Sequence, residues 1–323
     1  MPHAITQDWK HSDAIQRMVG FYHKDCTDGY FSGALLKRVF EHIGKPFELY
    51  PVTYKDELLS FVLPGDQVVF ADMSASPDVI LAMAEKAVGV AVYDHHDTAI
   101  RLFDKLPQNY FQDDNVILMF DEKRCGTQLV FDELAFPILR IGDLRHYERL
   151  LDRVQTWDLQ LPDAQKAEYR SFVAYCKAKL TSMREVDDFL NLYMVDCFTS
   201  DQRVMEQARL LMETEDNHVQ WAIENTLRVV SLEVPNGDGR TTTYSDVALV
   251  NAPKYLCTQI GRALEDNFPI VMIYHETAMG RVYRISSKKG GIVVNTIAEK
   301  FNGGGHLHSA GIQVLRDSYL GRL

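Results

Sequence analysis

The feature that most constrains the fold is a regular alternation of short apolar runs and helical patterns between about residues 18 and 121. The runs are β-rich and nearly continuous in apolar residues: Met18–His23, Phe47–Thr53, Gln67–Ala71, Val88–Tyr93 and Val116–Phe120. Segments with helical spacing separate them, as in Phe31–Ile43. Continuous apolar strands suit a parallel sheet that is covered on both faces. The alternation therefore predicts a doubly wound, mostly parallel α/β domain.

The remainder of the chain predicts a helical region followed by a second, smaller domain. The pattern from Gly126 to about Arg228 is mainly helical, and Ser200–Leu227 is typical of one long helix with a polar face. New strand patterns then follow: Arg228–Val234, Tyr244–Asn251, Ile270–His275 and Arg281–Ser286. We therefore expect a first domain at 1–195, a helical linker at 196–227, and a smaller α/β C-terminal domain at 228–323.

The charge and composition restrict which partners and compartments suit the chain. It has 34 Lys and Arg against 45 Asp and Glu, a formal net charge of −11, so its overall field repels polyanions. Proteins that follow long duplex nucleic acid usually have a broad basic face, so no such partner is expected. No apolar run approaches the roughly 18 residues that span a bilayer. The five cysteines form no C-x-x-C pair, which indicates reduced thiols and a cytoplasmic protein.

Potential metal ligands follow three of the five apolar runs. The first run ends in a segment that contains His23, Asp25 and Asp28, the third is followed by Asp72, and the fourth by Asp94-His95-His96-Asp97. Because ligands of an open parallel sheet bind beyond the carboxyl ends of its strands, we expect these side chains to converge. Helix capping would explain Asp72 alone equally well. Three such strand ends on one edge favour a metal site.

The residue types indicate a particular metal chemistry. Aspartate oxygens combined with one or two imidazoles suit Mn²⁺ or Mg²⁺ better than zinc or copper. A bridging carboxylate can hold two ions about 3.5–4 Å apart, which is the spacing of phosphoryl-transfer sites. An adjacent histidine can orient a ligand or donate to a phosphate oxygen. We therefore expect two divalent ions, either Mn²⁺ or Mg²⁺.

Two motifs far apart in the chain resemble those of a known family. Asp94-His95-His96, followed by Asp97-Thr98-Ala99, resembles the signature loop of the DHH phosphoesterases, and Gly303-Gly304-Gly305-His306 resembles the GGGH motif of the DHH-associated domain. His23-x-x-Cys26-x-Asp28-Gly29 and Asp72-x-Ser74 are similar to the first two family motifs. The family includes RecJ-like exonucleases, oligoribonucleases, cyclic-dinucleotide phosphodiesterases and manganese pyrophosphatases. The resemblance covers almost the full length.

The resemblance implies roles for individual residues. It implies metal ligation by four side chains, namely His23, Asp28, Asp72 and His95. Asp94 would support the site and His96 would contact the scissile phosphate, which makes both candidate catalytic residues. Asp25 is a further candidate ligand, although many members separate the two aspartates of this motif by one residue and this chain separates them by two.

The resemblance also implies one more aspartate ligand in a helical segment after the fifth strand. Asp143, Asp152 and Asp158 compete for this role. The segment Val154–Leu159 matches that stretch of the family best, so Asp158 is preferred and Asp152 is the runner-up.

Candidate substrate-binding residues lie near the C-terminus: Arg284, Lys288, Gly303, Gly304, Gly305 and His306. Glycine permits close backbone approach, and backbone amides with flanking cations can hold a phosphate. A solvated basic hairpin is the alternative explanation of the positive charges. In the family an arginine often lies in a Ser-Leu-Arg-Ser strand, and Ser286 stands at that place here. Arg284, Lys288 or Lys289 would have to replace that contact.

The sequence therefore predicts a Mn²⁺-dependent phosphodiesterase that hydrolyses short oligonucleotides or dinucleotides to nucleoside monophosphates, using water activated by two metals. Within the same superfamily the alternatives are a single-strand exonuclease, a pyrophosphatase and a cyclic-dinucleotide phosphodiesterase. A non-catalytic nucleotide-binding module is an alternative of another class. The choice between linear and cyclic substrates, RNA and DNA, and monomer and homodimer stays open.

Overall fold

The structure, a computed structural model, divides the chain into two compact units, Met1–Leu211 and Met212–Leu323. It describes residues 9, 11–24, 26–54, 56–107, 110–111, 115–141, 144–159, 161–162, 166–236 and 239–315. The division between the units falls inside one long helix, Cys197–Thr226. The domain boundaries expected from the sequence, at 195/196 and 227/228, stay a prediction.

The first unit contains a five-stranded parallel sheet with helices on both faces. Its strands are β1 (Arg17–His23), β2 (Phe47–Val52), β3 (Asp66–Ala71), β4 (Gly89–Asp94) and β5 (Val116–Phe120). Its helices are α1 (Thr27–Ile43), α2 (Pro77–Ala84), α3 (Asp97–Phe103), α4 (Gly126–Val130), α5 (Phe136–Leu139), α6 (Arg145–Asp158), α7 (Ala167–Lys179), α8 (Met183–Tyr193) and the first half of α9 (Cys197–Thr226). A 3₁₀ turn lies at Leu58–Phe61, and a π turn at Phe131–Ala135 joins α4 to α5. The doubly wound parallel sheet predicted from the sequence is confirmed.

The order of the strands creates a switch point where ligands can bind. The spatial order is β2-β1-β3-β4-β5, and all neighbouring pairs are parallel. The direction of winding reverses between β1 and β3, and in open α/β sheets a crevice forms there beyond the carboxyl ends of the strands. His23 ends β1 and Asp72 directly follows β3. Asp94 ends β4, the next strand of the sheet.

Apolar side chains on both faces of the sheet hold the strands in register. Met18 and Val69 contribute to the core under α1, whereas Val19 and Val68 contribute to the opposite core with Ile80 of α2. A slip of one residue would exchange the two sets of side chains, so the register is strongly specified. The positions of the strand ends, and of the polar residues that follow them, are fixed as a result.

The helices after the sheet form a second layer around a buried arginine. Arg153 of α6 donates to Asp201 Oδ1 at 2.7 Å and to Tyr193 Oη at 3.1 Å. These bonds fix α6 against α8 and the beginning of α9. Since α6 ends at Asp158, the same packing positions that carboxylate. Among the helices of the described ranges, none has both the length and the apolar composition needed to cross a bilayer.

The second unit contains a six-stranded mixed sheet that two short helices and the end of α9 pack against. Its strands are β6 (Arg228–Pro235), β7 (Thr241–Asn251), β8 (Ile270–Thr277), β9 (Gly280–Ser286), β10 (Gly304–His306) and β11 (Ser309–Leu315). Its helices are α10 (Cys257–Leu264), which follows a 3₁₀ turn at Lys254–Leu256, and α11 (Val294–Glu299). The strand order is β10-β11-β9-β8-β7-β6, with β7 and β8 parallel. The smaller α/β C-terminal unit expected from the sequence is therefore confirmed.

Candidate metal centre

Three carboxylates from separate parts of the first unit converge on one imidazole nitrogen. His95 Nε2 lies 3.0 Å from Asp72 Oδ1, 3.5 Å from Asp28 Oδ2 and 3.5 Å from Asp158 Oδ2. Asp28, Asp72 and His95 are buried, and the Asp158 side chain is 20% exposed. We call these four residues the His95 group. Three carboxylates and an imidazole around one point form a donor set that divalent cations bind.

A second group of potential ligands shares Asp72 with the first. His23, Asp72 and His96 each offer a ligand atom, and the three atoms lie within 4.8 Å of one another. We call these three residues the His23 group. His23 Nδ1 lies 3.4 Å from Asp72 Oδ2, while Asp72 Oδ1 is the oxygen near His95. Asp72 therefore stands between the two groups, as a bridging carboxylate does in a two-metal site.

The backbone at Asp72 adopts a conformation that few residue types accept. Its φ is 58°, in the left-handed region that aspartate and asparagine enter more readily than most side chains. Its amide donates to Tyr93 O at 2.9 Å, which holds the turn after β3 against β4. A Cβ on Gly126 would lie 2.4 Å from Asp72 Cβ, so the start of α4 approaches too closely for any other residue. Backbone strain of this kind concentrates at functional sites.

Asp28 is held by the beginning of α4. Its carboxylate accepts hydrogen bonds from the amides of Gly126 and Thr127, both at 2.7 Å, and from Thr127 Oγ1 at 2.5 Å. A Cβ on Gly29 would lie 2.1 Å from the His23 carbonyl oxygen, so α1 packs directly on the end of β1. The close approach at these two glycines brings Asp28 next to Asp72 in the His95 group.

Asp94 orients the two histidines that follow it. Its Oδ1 accepts from the amide of His95 at 2.8 Å and from the amide of His96 at 3.3 Å. The same oxygen lies 2.7 Å from His96 Nδ1. This hydrogen bond fixes the orientation of the His96 ring in the His23 group. Asp94 therefore positions other side chains rather than joining either group itself.

Burial and mutual repulsion shape the protonation of the site. Burial, followed by the charges of Asp72 and Asp158, raises the pKa of Asp28 well above its usual range, and burial likewise raises the pKa of Asp158. Burial also opposes ionisation of Asp72, but His23 and His95 hold the pKa of its carboxyl well below the ordinary value. Burial opposes the charging of His95, whereas the surrounding carboxylates raise its pKa to about 10. The buried carboxylates thus require a positive charge among them.

The donor atoms present fit a divalent cation. Within the described residues, the buried atoms Asp72 Oδ2, Asp158 Oδ2 and His23 Nδ1 make no hydrogen bond. Buried polar atoms are normally paired, and an exception suggests an ion or a ligand. A divalent cation would both occupy these atoms and supply the positive charge that the carboxylates need. Mixed carboxylate and imidazole donors suit Mn²⁺ or Mg²⁺.

The structure brings most of the predicted site residues together, namely His23, Asp28, Asp72, Asp94, His95, His96 and Asp158. Asp25 and Asp143 lie outside the described residues. Asp152 is exposed, and it accepts a hydrogen bond from Tyr169 Oη at 2.8 Å instead of joining the His95 group. The roles of the assembled residues in metal binding and catalysis stay a prediction.

The predicted substrate-binding residues all belong to the second unit. Gly304 of β10 pairs with Gly311 of β11, and Gly311 pairs in turn with Arg284 of β9, so Arg284 lies two strands from the triple glycine. Lys288 donates to Asp266 at 2.5 Å, and both side chains are exposed. The charge of Lys288 is therefore partly neutralised by a neighbouring acid.

Ser286, for which the resemblance to the DHH family implied an arginine, lies beside helix α10. A Cβ on Gly261 of α10 would lie 2.7 Å from Ser286 Oγ. The helix approaches the strand closely at this point, and that close approach leaves room for a small side chain. The role of this position in substrate binding stays a prediction.

Tyr54 is a residue near the site that the sequence interpretation did not single out. It follows β2, and its ring centroid lies 5.7 Å from that of His23 and 5.8 Å from that of His96. Its position near the site follows from the order of the strands. Strand β2 is the parallel neighbour of β1, so residues just after Val52 reach the same edge of the sheet as His23. A single tyrosine in a loop carries no motif of its own.

Comparisons with known proteins give matches of structure only. No protein-family model matches the sequence, and neither does any curated protein. RecJ from Thermus thermophilus, solved in complex with Mn²⁺, matches with a TM-score of 0.55 and 12% identity over 99% of this chain and 52% of that one. The DHH domain of a member of the s1p family of ribosomal proteins matches with a TM-score of 0.53 and 15% identity, over 98% and 87% of the two chains.

A third match is an exopolyphosphatase-related protein from Bacteroides fragilis, with a TM-score of 0.50 and 13% identity over 97% of this chain and 91% of that one. This chain spans about half the length of the RecJ chain that it matches. Identities this low carry information about the fold alone. Over nearly its whole length, the chain has the fold of the DHH-family proteins.

Proposed function

We propose that this protein is a metal-dependent phosphoesterase that hydrolyses short oligonucleotides or dinucleotides to nucleoside monophosphates, with Mn²⁺ as its metal. The observation that carries the proposal is the position of Asp72 between two groups of buried carboxylates and imidazoles. A carboxylate shared in this way suits two ions about 3.5–4 Å apart, the arrangement used for phosphoryl transfer. The Mn²⁺ in the RecJ structure of the same fold supports the choice of metal.

In this proposal the two groups divide the ligands between two ions. The His95 group would hold one ion, and His23 with Asp72 would hold the other, with Asp25 as a further candidate. Such ions, when bound, lower the pKa of a water molecule and neutralise the charge of the phosphate. The buried atoms Asp72 Oδ2, Asp158 Oδ2 and His23 Nδ1, which make no hydrogen bond within the described residues, support this assignment.

The remaining steps belong to the side chains of the protein. Burial opposes protonation of His96, but Asp94 raises the pKa of His96 through a charge and a hydrogen bond. A protonated His96, held at Nδ1 by Asp94, is suited to contact a phosphate oxygen and to donate a proton to the leaving ribose oxygen. His96 is thus the proposed catalytic residue, and Asp94 positions it.

The charge of the chain supports a short substrate. A formal net charge of −11 gives little attraction for a long polyanion. In the second unit, Arg281 pairs with Glu276 and Lys288 pairs with Asp266, so these cations are partly neutralised. We propose that Arg284, Lys288 and the segment Gly303–His306 hold the terminal nucleotide of such a substrate.

A product assay with Mn²⁺ tests the proposal. The panel contains linear oligomers of two to five nucleotides, cyclic dinucleotides, pyrophosphate and a long single strand. We expect the dinucleotide to be turned over fastest, with nucleoside monophosphate as the product, and chelation to stop the reaction. Faster turnover of pyrophosphate would indicate a pyrophosphatase instead, and faster turnover of the long strand would indicate a single-strand exonuclease. Tight nucleotide binding without any Mn²⁺-dependent product would indicate a binding module instead.

A further inference from the structure

We propose that Tyr54 forms a stacking platform for the nucleobase next to the scissile phosphate, and so makes the site selective for nucleotide substrates. The inference deepens the proposed function and rests on it, because it assumes that a phosphate is bound at the two groups of ligands. It assigns a substrate contact within the first unit, separate from the residues proposed to hold the terminal nucleotide.

Tyr54 lies where the buried site meets solvent. Asp28, Asp72, His95 and His96 are between 0 and 8% exposed, whereas Tyr54 is 55% exposed. Its ring nevertheless lies beside two members of the His23 group, at 5.7 and 5.8 Å between ring centroids. A substrate whose phosphate reaches His23 and His96 from solvent therefore passes next to this ring.

The geometry leaves ring surface available for a ligand. Tyr54 meets the His23 ring at an interplanar angle of 61° and the His96 ring at 79°, so both contacts are T-shaped rather than stacked. Within the described residues its ring belongs to none of the hydrophobic core clusters. An aromatic ring that contributes so little to packing, and that lies beside a site, suits recognition of a flat ligand.

Hydrogen bonds hold residues close to Tyr54 in the chain. The amide and Oγ1 of Thr53 donate to Asp56 Oδ2 at 2.6 and 3.0 Å. On the other side, the amide of Lys24 donates to Val52 O at 2.9 Å, which ties the end of β2 to the loop after β1. Backbone that is fixed before binding loses little conformational entropy when a base stacks on a side chain that it carries.

The chemistry of the substrate selects a nucleobase as the stacking partner. In a nucleotide, only the ribose separates the base from its phosphate, so the base of a substrate bound at His96 can reach a ring that lies beside this histidine. Pyrophosphate has no group that could use this surface. Stacking of a base on an aromatic side chain contributes about 1–3 kcal/mol, which corresponds to roughly 5- to 150-fold in affinity.

The kinetic test compares variants of Tyr54 on substrates with and without the base. With a dinucleotide and Mn²⁺, Tyr54→Ala should raise KM by roughly 5- to 150-fold with little change in kcat, while Tyr54→Phe stays close to the unmodified protein. With an otherwise identical dinucleotide that is abasic on the stacked side, Tyr54→Ala should have no effect. Phe136→Ala, at another aromatic side chain that is 42% exposed, is the matched control.

Two outcomes of that test would overturn the stacking role. One is an equal rise in KM for the abasic substrate or for pyrophosphate in Tyr54→Ala, which would mean that Tyr54 acts on the phosphate or on the metal ligands instead of on the base. The other is a Tyr54→Phe variant as impaired as Tyr54→Ala, which would assign the effect to the hydroxyl. Melting temperature with and without Mn²⁺ shows whether each variant folds and binds metal.

A binding measurement separates failure of this inference from failure of the proposed function. Calorimetry with the Mn²⁺-loaded protein compares a nucleoside monophosphate with ribose 5-phosphate, which lacks the base. We expect tighter binding of the nucleotide, and loss of that preference in Tyr54→Ala. Base-dependent binding without turnover of any substrate would refute the proposed function but retain the stacking role. Turnover with equal binding of the two compounds would refute the stacking role alone.

Discussion

At the scale of single residues, the site depends on which atom each carboxylate presents to its neighbours. Asp158 and Asp152 lie on the same helix, α6, six positions apart, yet only one of them reaches His95. Asp158 Oδ2 is buried and makes no hydrogen bond within the described part of the chain, whereas Asp152 is exposed and bonded to Tyr169. The two residues therefore offer a matched comparison of a proposed ligand with a surface carboxylate.

We expect Asp158→Asn to weaken Mn²⁺ binding and to reduce turnover by about 10- to 100-fold or more, because it removes a charged donor from the His95 group. Asp152→Asn should leave both unchanged. Calorimetric titration with Mn²⁺ and steady-state kinetics measure the two effects. If Mn²⁺ affinity and turnover fell equally in the two variants, or did not fall in Asp158→Asn, Asp158 would not be a metal ligand.

The sequence predicted the acidic and imidazole residues of the site but not all of their partners. His23, Asp72 and Asp94 were found because each stands at the end of an apolar run, and parallel strands present their carboxyl ends at one edge. The hydrogen bonds from Gly126 and Thr127 to Asp28 span nearly a hundred positions of chain, so no local pattern could indicate them. The position of Tyr54 likewise depends on which strand is the neighbour of β1.

At the scale of helices and strands, the beginning of α4 is the element that supports the site most directly. It donates two amides to Asp28, and it approaches Asp72 so closely that Gly126 has no room for a side chain. Movement of α4 by even a small distance would alter both carboxylates at once. Glycine at 126 is thus a requirement of the site rather than of the helix.

Gly126→Ala tests this requirement. Its Cβ would lie 2.4 Å from Asp72 Cβ, so α4 or the turn after β3 must shift, and we expect Mn²⁺ affinity to fall by about tenfold or more. Gly311→Ala is the control, since its Cβ would meet nothing closer than 3.7 Å. Unchanged Mn²⁺ affinity in Gly126→Ala would mean that the site tolerates the displacement.

Stability of the helical layer depends on the pair of Arg153 and Asp201, both of which are largely buried. Asp201→Ala leaves the guanidinium buried without its carboxylate, so the free energy of unfolding should fall by about 3 kcal/mol. Asp188→Ala, which removes an exposed ion pair with Arg184 on α8, should change it by less than about 1 kcal/mol. Urea unfolding followed by circular dichroism measures the free energy of unfolding of both variants. A similar decrease in the two variants would contradict a special contribution of the buried pair.

The elements themselves were predictable where side chains form the pattern. Strands β1, β3 and β4 are buried on both faces, so their positions follow from their nearly continuous apolar runs. Strand β10, by contrast, consists of Gly304, Gly305 and His306, and two of its three residues have no side chain to alternate. It is held by backbone pairing with β11, and a pattern of side chains cannot predict such a strand from the sequence.

At the scale of the whole molecule, the proposed metal contributes to folding as well as to chemistry. Asp28, Asp72 and Asp158 come together only in the folded chain, and a cation that binds there stabilises that state by mass action. The net charge of −11 acts in the same direction, since a divalent cation reduces repulsion among acidic groups.

Removal of metal with EDTA should therefore lower the melting temperature, and Mn²⁺ at a hundred times its Kd should restore about 2.7 kcal/mol of stability. Differential scanning calorimetry measures the shift. Asp72→Asn is the control, because asparagine also tolerates the left-handed backbone but removes the shared charge. A melting temperature that does not respond to Mn²⁺ in the unmodified protein would contradict a metal site in the first unit.

The shared carboxylate of Asp72 has a consequence for how the two proposed ions load. One oxygen faces the His95 group and the other faces the His23 group, so whatever orients one oxygen orients both. Binding of the first cation would fix the orientation of the Asp72 side chain for the second cation. The positive charge of the first cation would at the same time disfavour binding of the second. Thermodynamic linkage makes that influence reciprocal, so the two occupancies are properties of the pair and not of either position alone.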